Sequence, residues 1–419
     1  MSMYQARRRR LGDQCSASII SNLFAFDANV SGFRNPCSAL PRRASSGIDA
    51  TTNARDMLSQ QVAPGISIHD ALLSSIRIME CRDIPEPDES VLHLLSHALN
   101  LNWDDGHRHL REVLALPYPL PSPGNPSTSR DETVLNLAKR TLSSEQSNVY
   151  LSLLERRLQF EPLQYILGQW DFHDLSGLTI RRPMLCPRPE TEELVELVLA
   201  DVDRLIDDAK IEAGGNDRKI RILDVGCGTG AIGIAIARWY PKNVQVVALD
   251  VSPEAVELSN ENAGVFLSGG TGLYRAILCS ARDFTNDEIQ SNSCERKWEM
   301  DFDIVVSNPP YIPTKDMQGL SRDVTGFESH EALCGGDDGL DVIRDIVRRL
   351  PEWLSPTVAS DDRRHLHRLC WMEVDDSHPA KLEQLLAPGS KESILRGVEY
   401  CDSRKDFCGR DRFVKIVLR

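Results

Sequence analysis

Apolar positions fall into two regimes along the chain. Across residues 51–168 they recur at the three- and four-residue spacing of helices. Glu89-Ser90-Val91-Leu92-His93-Leu94-Leu95-Ser96-His97-Ala98-Leu99 follows that period behind Asp88, a residue suited to an N-cap. Ser143 and Gln146 have the spacing of a capping box ahead of Leu151, Leu154 and Leu158. Pro117 to Arg130, rich in Pro and Ser, reads as a flexible insertion between helices. From residue 169 onward, apolar runs of strand length take over: Ile220 to Val225, Val244 to Leu249, Asp303 to Ser307, and a closing Arg412 to Leu418. Helix-like stretches separate them. Ala231 to Arg238 is one; in another, Leu194, Val195, Leu197, Val198, Val202, Leu205 and Ile206 make a face to be buried. The pattern predicts a helical domain over 51–168 and an α/β domain over 169–419, behind a tail over 1–50. No internal repeat is evident.

The first strand of the α/β part leads into Gly226-Cys227-Gly228-Thr229-Gly230 and then into the Ala231 helix. Three glycines in five positions let the backbone turn sharply and leave no Cβ between the main chain and a ligand lying across it. The second strand ends in Asp250, twenty positions after Gly230. A carboxylate at that strand tip is where a doubly wound fold grips two ribose hydroxyls. No Gly-Lys-Ser/Thr follows the last glycine, so the loop is not a phosphate-cradling P-loop. Asp224, just before the loop, would repel a pyrophosphate and pair with the cationic amino-acid portion of a ligand. That favours S-adenosylmethionine over a dinucleotide.

Asn308-Pro309-Pro310-Tyr311 follows the third strand. The residue before a proline is pushed toward extended geometry, and proline brings no N–H. What remains is rich in acceptors. The Asn308 side-chain oxygen and the Pro309 carbonyl can each accept one hydrogen of a planar NH2 group, and the Tyr311 ring can cover its face. By itself the tetrapeptide would serve equally well as a strand-ending turn.

Taken with Glu161-Pro162-Leu163-Gln164-Tyr165-Ile166-Leu167-Gly168, Pro187-Arg188-Pro189-Glu190-Thr191-Glu192 and Gly335-Gly336-Asp337-Asp338-Gly339-Leu340-Asp341, these segments resemble the HemK-like (PrmC-like) protein glutamine methyltransferases. The resemblance runs from about Glu161 to Arg419. It implies a Rossmann-like, seven-stranded methyltransferase domain preceded by a small helical domain that helps dock the substrate. It implies transfer of a methyl group from S-adenosylmethionine to the side-chain amide of the glutamine in the Gly-Gly-Gln loop of a peptide chain release factor. Gly226 to Gly230, with Cys227, Gly228 and Thr229 between, and Asp250 would hold the donor, and Asn308, Pro309, Pro310 and Tyr311 the substrate amide, with Asn308 close to the donor as well. The adenine-side acid and aromatic fall on Asp283 and Phe284. Trp371 to His378 departs from the family pattern at a strand end.

Composition narrows the rest. No apolar run approaches the roughly 18–20 residues of a membrane span. The eleven cysteines are odd in number and without a Cys-x-x-Cys pair, so neither a disulfide framework nor a zinc site is expected, and a reducing compartment follows. The ten histidines lack metal-ligand spacing, and His173 and His378 are expected at the surface or in loops. The net charge of −14 argues against a protein that coats nucleic acid and suits either a basic partner or a merely solvated acidic surface. About 48 N-terminal residues hold seven arginines against Asp13 and Asp27, with many serines, the composition of a mitochondrial transit peptide. A monomer in the mitochondrial matrix is expected. Two other functions share the motifs: a methyltransferase of adenine N6 or cytosine N4, and a binding protein that kept the fold and lost turnover.

Overall fold

The computed structural model describes residues 58–59, 61–101, 103–120, 132–211, 219–268, 272–285, 301–354, 368–387 and 398–418. The arginine-rich tail and residues 121–130 of the Pro- and Ser-rich insertion lie outside them. Two compact units divide the chain near residue 167.

The N-terminal unit is helical: α1 (Ile68–Glu80), α2 (Pro87–Ala98), α3 (Trp103–Leu114), α4 (Glu132–Lys139), α5 (Ser144–Arg157) and α6 (Leu163–Leu167). Ser143 opens α5 through a complete capping box with Gln146. The start of α2 differs from expectation. Its N-cap is Glu86 and Pro87 takes the first helical position, where a fixed φ and a missing N–H cost nothing, leaving Asp88 inside the first turn. Val91, Leu92, Leu94 and Leu95 are all buried from α2. Beside them the buried Arg157 guanidinium donates to Ser90 Oγ and to the carbonyls of Pro85 and Glu161 at 3.0–3.1 Å, so each of its three nitrogens has an acceptor.

Against the expectation from spacing, α2 and α3 bring Glu89, His93 and His107 together, with one ligand-type atom of each within 4.8 Å of the others. Arg111 already occupies the Glu89 carboxylate, and the two imidazoles lie ring against ring with centroids 4.0 Å apart. Cys81 is disulfide-bonded, which by itself does not make a disulfide framework. Cys186, Cys227, Cys279, Cys334, Cys370 and Cys408 are free thiols.

The second unit opens with an antiparallel hairpin, β1 (Gln169–Phe172) and β2 (Leu175–Thr179), and a long helix, α7 (Pro189–Ile211). The sheet strands and the helices among them then follow in the order β3 (Ile220–Val225), α8 (Ala231–Trp239), β4 (Val244–Asp250), α9 (Pro253–Phe266), β5 (Tyr274–Leu278), β6 (Ile304–Ser307), α10 (Asp341–Trp353), β7 (Leu369–Glu373), α11 (His378–Leu386), β8 (Val398–Lys405) and β9 (Asp411–Leu418). The sheet has seven strands in the order β5-β4-β3-β6-β7-β9-β8, parallel from β5 to β7 and antiparallel at β9 and β8. Parallel strands covered on both faces read as continuous apolar runs, and β6 and β7 are buried at every position. The chain moves outward from β3 through β5 and returns to β6 on the other side of β3. That reversal opens a crevice at the carboxyl ends of β3 and β6, the place where such folds bind ligands.

Two histidines are deeper than expected. His173, at the β1–β2 turn, is buried edge-on to Trp239 and bonded to Asp174 and Glu196 at 3.2 and 2.9 Å. Although burial opposes the charge, these carboxylates raise its pKa to about 9. His378, at the start of α11, is fully buried, with Nε2 3.1 Å from the Asp338 carbonyl. Both are structural, each held by at least one partner well separated in sequence, Glu196 for His173 and Asp338 for His378.

Candidate active site

Registry across the sheet sets the site. Val225 pairs with Leu249 on one side and Ser307 on the other, so Gly226, Asp250 and Asn308 emerge side by side. The Ser307 hydroxyl donates to the Val225 carbonyl at 2.6 Å and ties the two strand ends together.

On the β3 side, Gly226, Gly228 and Gly230 all have positive φ, a conformation most side chains resist. A Cβ on Gly226 or Gly228 would enter open space, whereas one on Gly230 would meet Ser259 Oγ at 2.6 Å and Ile234 Cδ1 at 2.7 Å. The first two glycines therefore leave room for a ligand, and the third lets the loop pack on α9. The Cys227 and Thr229 side chains turn inward and are buried, and burial pushes the Cys227 thiol pKa well up.

Asp250 is fixed by two backbone donors, Gly228 N–H to Oδ2 and Ser252 N–H to Oδ1, each at 2.9 Å. Each oxygen keeps a further lone pair for a ribose hydroxyl. Burial raises the pKa of Asp250, with the backbone donors opposing that shift. Asp224 is fully buried, and its Oδ2 accepts from Gly233 N–H at 3.0 Å while Oδ1 has no protein partner. Desolvation lifts its pKa to about 7. An orphaned carboxylate oxygen under a glycine loop with open space above it fits the ammonium and ribose of S-adenosylmethionine.

The adenine side needs correction. Phe284 is fully buried within the apolar core against Phe302 and Trp353, with ring centroids at 6.4 and 6.2 Å, and cannot cover an adenine. Its neighbour Asp283 is exposed and accepts from the Ser280 hydroxyl at 2.6 Å.

On the β6 side, Asn308 Nδ2 donates to Thr191 Oγ1 at 3.1 Å, and the Thr191 hydroxyl donates to Glu373 Oε2 at 2.7 Å. Tyr311 donates its hydroxyl to the other oxygen, Glu373 Oε1, at 3.1 Å, with the Arg412 guanidinium 5.8 Å from its ring centroid. Burial drives the pKa of Glu373 up, with Thr191, Arg412 and Tyr311 opposing the shift, and burial beside Glu373 drives the Tyr311 pKa up too. Thr191 comes from the first turn of α7 and Glu373 from the last position of β7, and sequence reasoning gave neither a role. An acid closing an apolar strand was the available signal, the same one that marked Asp250.

Two further segments brace this side. Ile312 bridges to Cys334, and Gly335 passes so close to the Pro310 carbonyl that a Cβ there would lie 2.6 Å from it. Gly339, at positive φ, approaches the Tyr311 carbonyl in the same way. Only glycine lets the Gly335 to Gly339 turn lie this close to the Asn-Pro-Pro-Tyr backbone. Arg188, ahead of α7, reaches both oxygens of the buried Glu328 at 2.9 and 2.7 Å.

Comparison with known proteins gives two family matches, the PrmC N-terminal domain over residues 128–168 and the methyltransferase small domain over 211–322. The chain is 32% identical over 340 residues to the human protein named MTRF1L release factor glutamine methyltransferase, covering 81% of this chain and 84% of that one. It is 33% identical over 227 residues to the release factor glutamine methyltransferase of Bacillus anthracis, covering 54% and 71%. With the protein of the same name from Thermodesulfovibrio yellowstonii the figures are 34% over 282 residues, 67% and 85%.

Proposed function

The chain belongs to the release factor glutamine methyltransferase family, and from that premise we propose that Asn308 to Tyr311 hold the glutamine side chain while Gly226 to Gly230 and Asp250 hold the donor. The reaction is methylation of a release-factor glutamine by S-adenosylmethionine. The observation that carries the residue assignment is the placement of Asn308 beside Gly226 and Asp250, with its amide nitrogen already bonded to Thr191 at 3.1 Å. Its oxygen is thereby the end left to accept from a substrate.

The chemistry explains the architecture. An amide nitrogen is a poor nucleophile because its lone pair is delocalised into the carbonyl, a resonance reflected in a rotation barrier of roughly 18–20 kcal/mol. The donor, when bound, supplies a methyl carbon made electrophilic by a sulfonium. Two hydrogen bonds from the substrate NH2, to Asn308 Oδ1 and the Pro309 carbonyl, contribute about 1–3 kcal/mol each when buried. Holding the nitrogen in line for attack contributes roughly 7–11 kcal/mol more. Both acceptors also stabilise the positive charge that develops on nitrogen. Glu373 is committed to Thr191 and Tyr311, so the nitrogen loses its proton as or after it attacks, without a dedicated base.

The test combines purified protein, isotopically labelled methyl donor and a release factor or DNA as acceptor, with mass spectrometry of the Gly-Gly-Gln peptide. Label on the peptide glutamine supports this reading. Label on DNA alone, or on neither, overturns it.

The helical N-terminal unit is assigned to docking of the release factor, and the protein to action as a monomer. Among the described residues no helix is long and apolar enough to cross a membrane. The arginine-rich, acid-poor composition of residues 1–50 supports delivery to mitochondria. Fusing that segment to a fluorescent reporter checks the delivery, and a diffuse cytosolic signal refutes it.

A further inference from the structure

An asparagine side chain has two ends of nearly equal shape, and only one of them can accept a hydrogen from a substrate NH2. If the amide turned over, NH2 would face NH2 and the grip would be lost. Something must therefore choose the orientation of Asn308, and the chain of bonds behind it has a single direction.

Glu373 lies at the end of β7 with about 1% of its surface exposed and, when ionised, only accepts. Its Oε2 takes the Thr191 hydroxyl proton at 2.7 Å. With that proton committed, Thr191 Oγ1 can only accept from Asn308, and it does so from Nδ2 at 3.1 Å. Its other carboxylate oxygen takes the Tyr311 hydroxyl at 3.1 Å, which anchors the far end of the same tetrapeptide. The buried carboxylate thus pins both ends of Asn308-Pro309-Pro310-Tyr311, one end through Thr191 and the other directly.

We infer that Thr191 and Glu373 are positioning residues that hold the Asn308 amide in the one orientation able to accept the substrate NH2. This rests on the assignment of Asn308 to the substrate amide. Neither residue needs to touch the substrate or the donor.

The test uses Thr191→Val, which keeps the shape and removes the hydroxyl, Thr191→Ser, which restores it, and Glu373→Gln. Glutamine at 373 turns one of two acceptors into a donor facing hydroxyls that both donate, so the bond from Thr191 or the one from Tyr311 is lost or reversed. Thr191→Val is expected to lower kcat on the order of 100-fold, the scale of a small misplacement of a reacting group. Donor affinity stays at the wild-type level, and Thr191→Ser recovers most of the turnover. Glu373→Gln is expected to behave as Thr191→Val does, and it decides the matter if the valine protein does not fold. A second readout needs no substrate. In protein labelled with 15N-asparagine, the Asn308 side-chain NH2 pair, identified by its absence in Asn308→Ala, is expected to be slow to exchange in wild type and Thr191→Ser and fast in Thr191→Val.

Normal kcat in Thr191→Val, equal loss in the serine and valine proteins, or unchanged NH2 exchange in Thr191→Val would each overturn the inference. If wild-type protein leaves the Gly-Gly-Gln peptide unmethylated, the substrate assignment fails instead, and the exchange measurement still decides whether the relay orients Asn308.

Discussion

The donor side of the crevice is made within one continuous strand-loop-helix-strand passage, largely from backbone: glycines with open space above them, and an Asp250 carboxylate tied to Gly228 N–H. The acceptor side is made of side chains gathered from afar. Asn308 leans on Thr191, 117 positions earlier, and Thr191 leans on Glu373, 182 positions later. A backbone site tolerates variation in neighbouring side chains but not an added Cβ. A side-chain relay tolerates changes of backbone composition nearby but not the loss of one hydroxyl. The two sides should therefore fail differently, one through donor affinity and the other through turnover.

The largest effect is expected for Asn308→Ala. Methyl transfer should fall by on the order of 1,000-fold, the scale seen when a group that stabilises developing charge is removed. Donor affinity measured by calorimetry should stay within about twofold, a change of roughly 0.4 kcal/mol. Near-normal turnover would show that the oxygen at 308 does not grip the substrate, and the contrast between the two sides would collapse.

Asp250→Asn should do the reverse. Asparagine keeps an acceptor for one backbone N–H and replaces the other oxygen with a donor, so the ribose hydroxyls lose part of their partner. Donor affinity is expected to drop about tenfold to 100-fold, or roughly 1.4–2.8 kcal/mol, with kcat at saturating donor little changed. A variant losing kcat alone would move Asp250 from binding to catalysis.

How much of this was legible in the sequence follows from the same contrast. The glycine loop, Asp250 and Asn-Pro-Pro-Tyr are local patterns, and the strand runs that carry them appear where the apolar periodicity placed them. The apolar runs gave an α/β domain, and the seven-stranded sheet was implied by the family resemblance. Thr191 and Glu373 went unassigned because nothing in either local segment states that α7, β6 and β7 converge. Phe284 went wrong for a related reason. An aromatic after a strand can face a ligand or the core, and only its packing on Phe302 and Trp353 decides. Asp88 was displaced as a cap by a proline one position earlier, a local rule that outranked another local rule.

Glycine substitutions sharpen the contrast within the donor side itself. Gly228→Ala adds a Cβ that meets no protein atom, so the fold bears mainly the left-handed backbone cost of about 1–2 kcal/mol, while the donor meets the new methyl. Donor affinity should fall about tenfold, or roughly 1.4 kcal/mol. Gly230→Ala drives its Cβ into Ser259 and Ile234 and should lower the melting temperature more than Gly228→Ala does. Equal melting temperatures would show that the loop relaxes freely and is not braced on α9.

The smallest effect is a pH dependence. The buried Asp224 titrates near pH 7 in the free fold, raised by desolvation and by the nearby Asp250 charge, and opposed by Gly233 N–H. A carboxyl raised above its unfolded value favours the folded state below the unfolded pKa, and that contribution fades as pH rises through about 7. A donor ammonium next to Oδ1 would favour the ionised form, so binding would expel a proton below pH 7 and donor affinity would climb with pH up to that point. Asp224→Asn cannot ionise and should flatten this rise while keeping an acceptor for Gly233 N–H. Measuring donor affinity over a window of roughly pH 5.5 to 8, which brackets the Asp224 value of about 7, checks both proteins. If the slopes of wild type and Asp224→Asn coincide, Asp224 buttresses α8 and does not meet the donor, and Asp250 is then the acidic side chain that the donor side adds to its backbone.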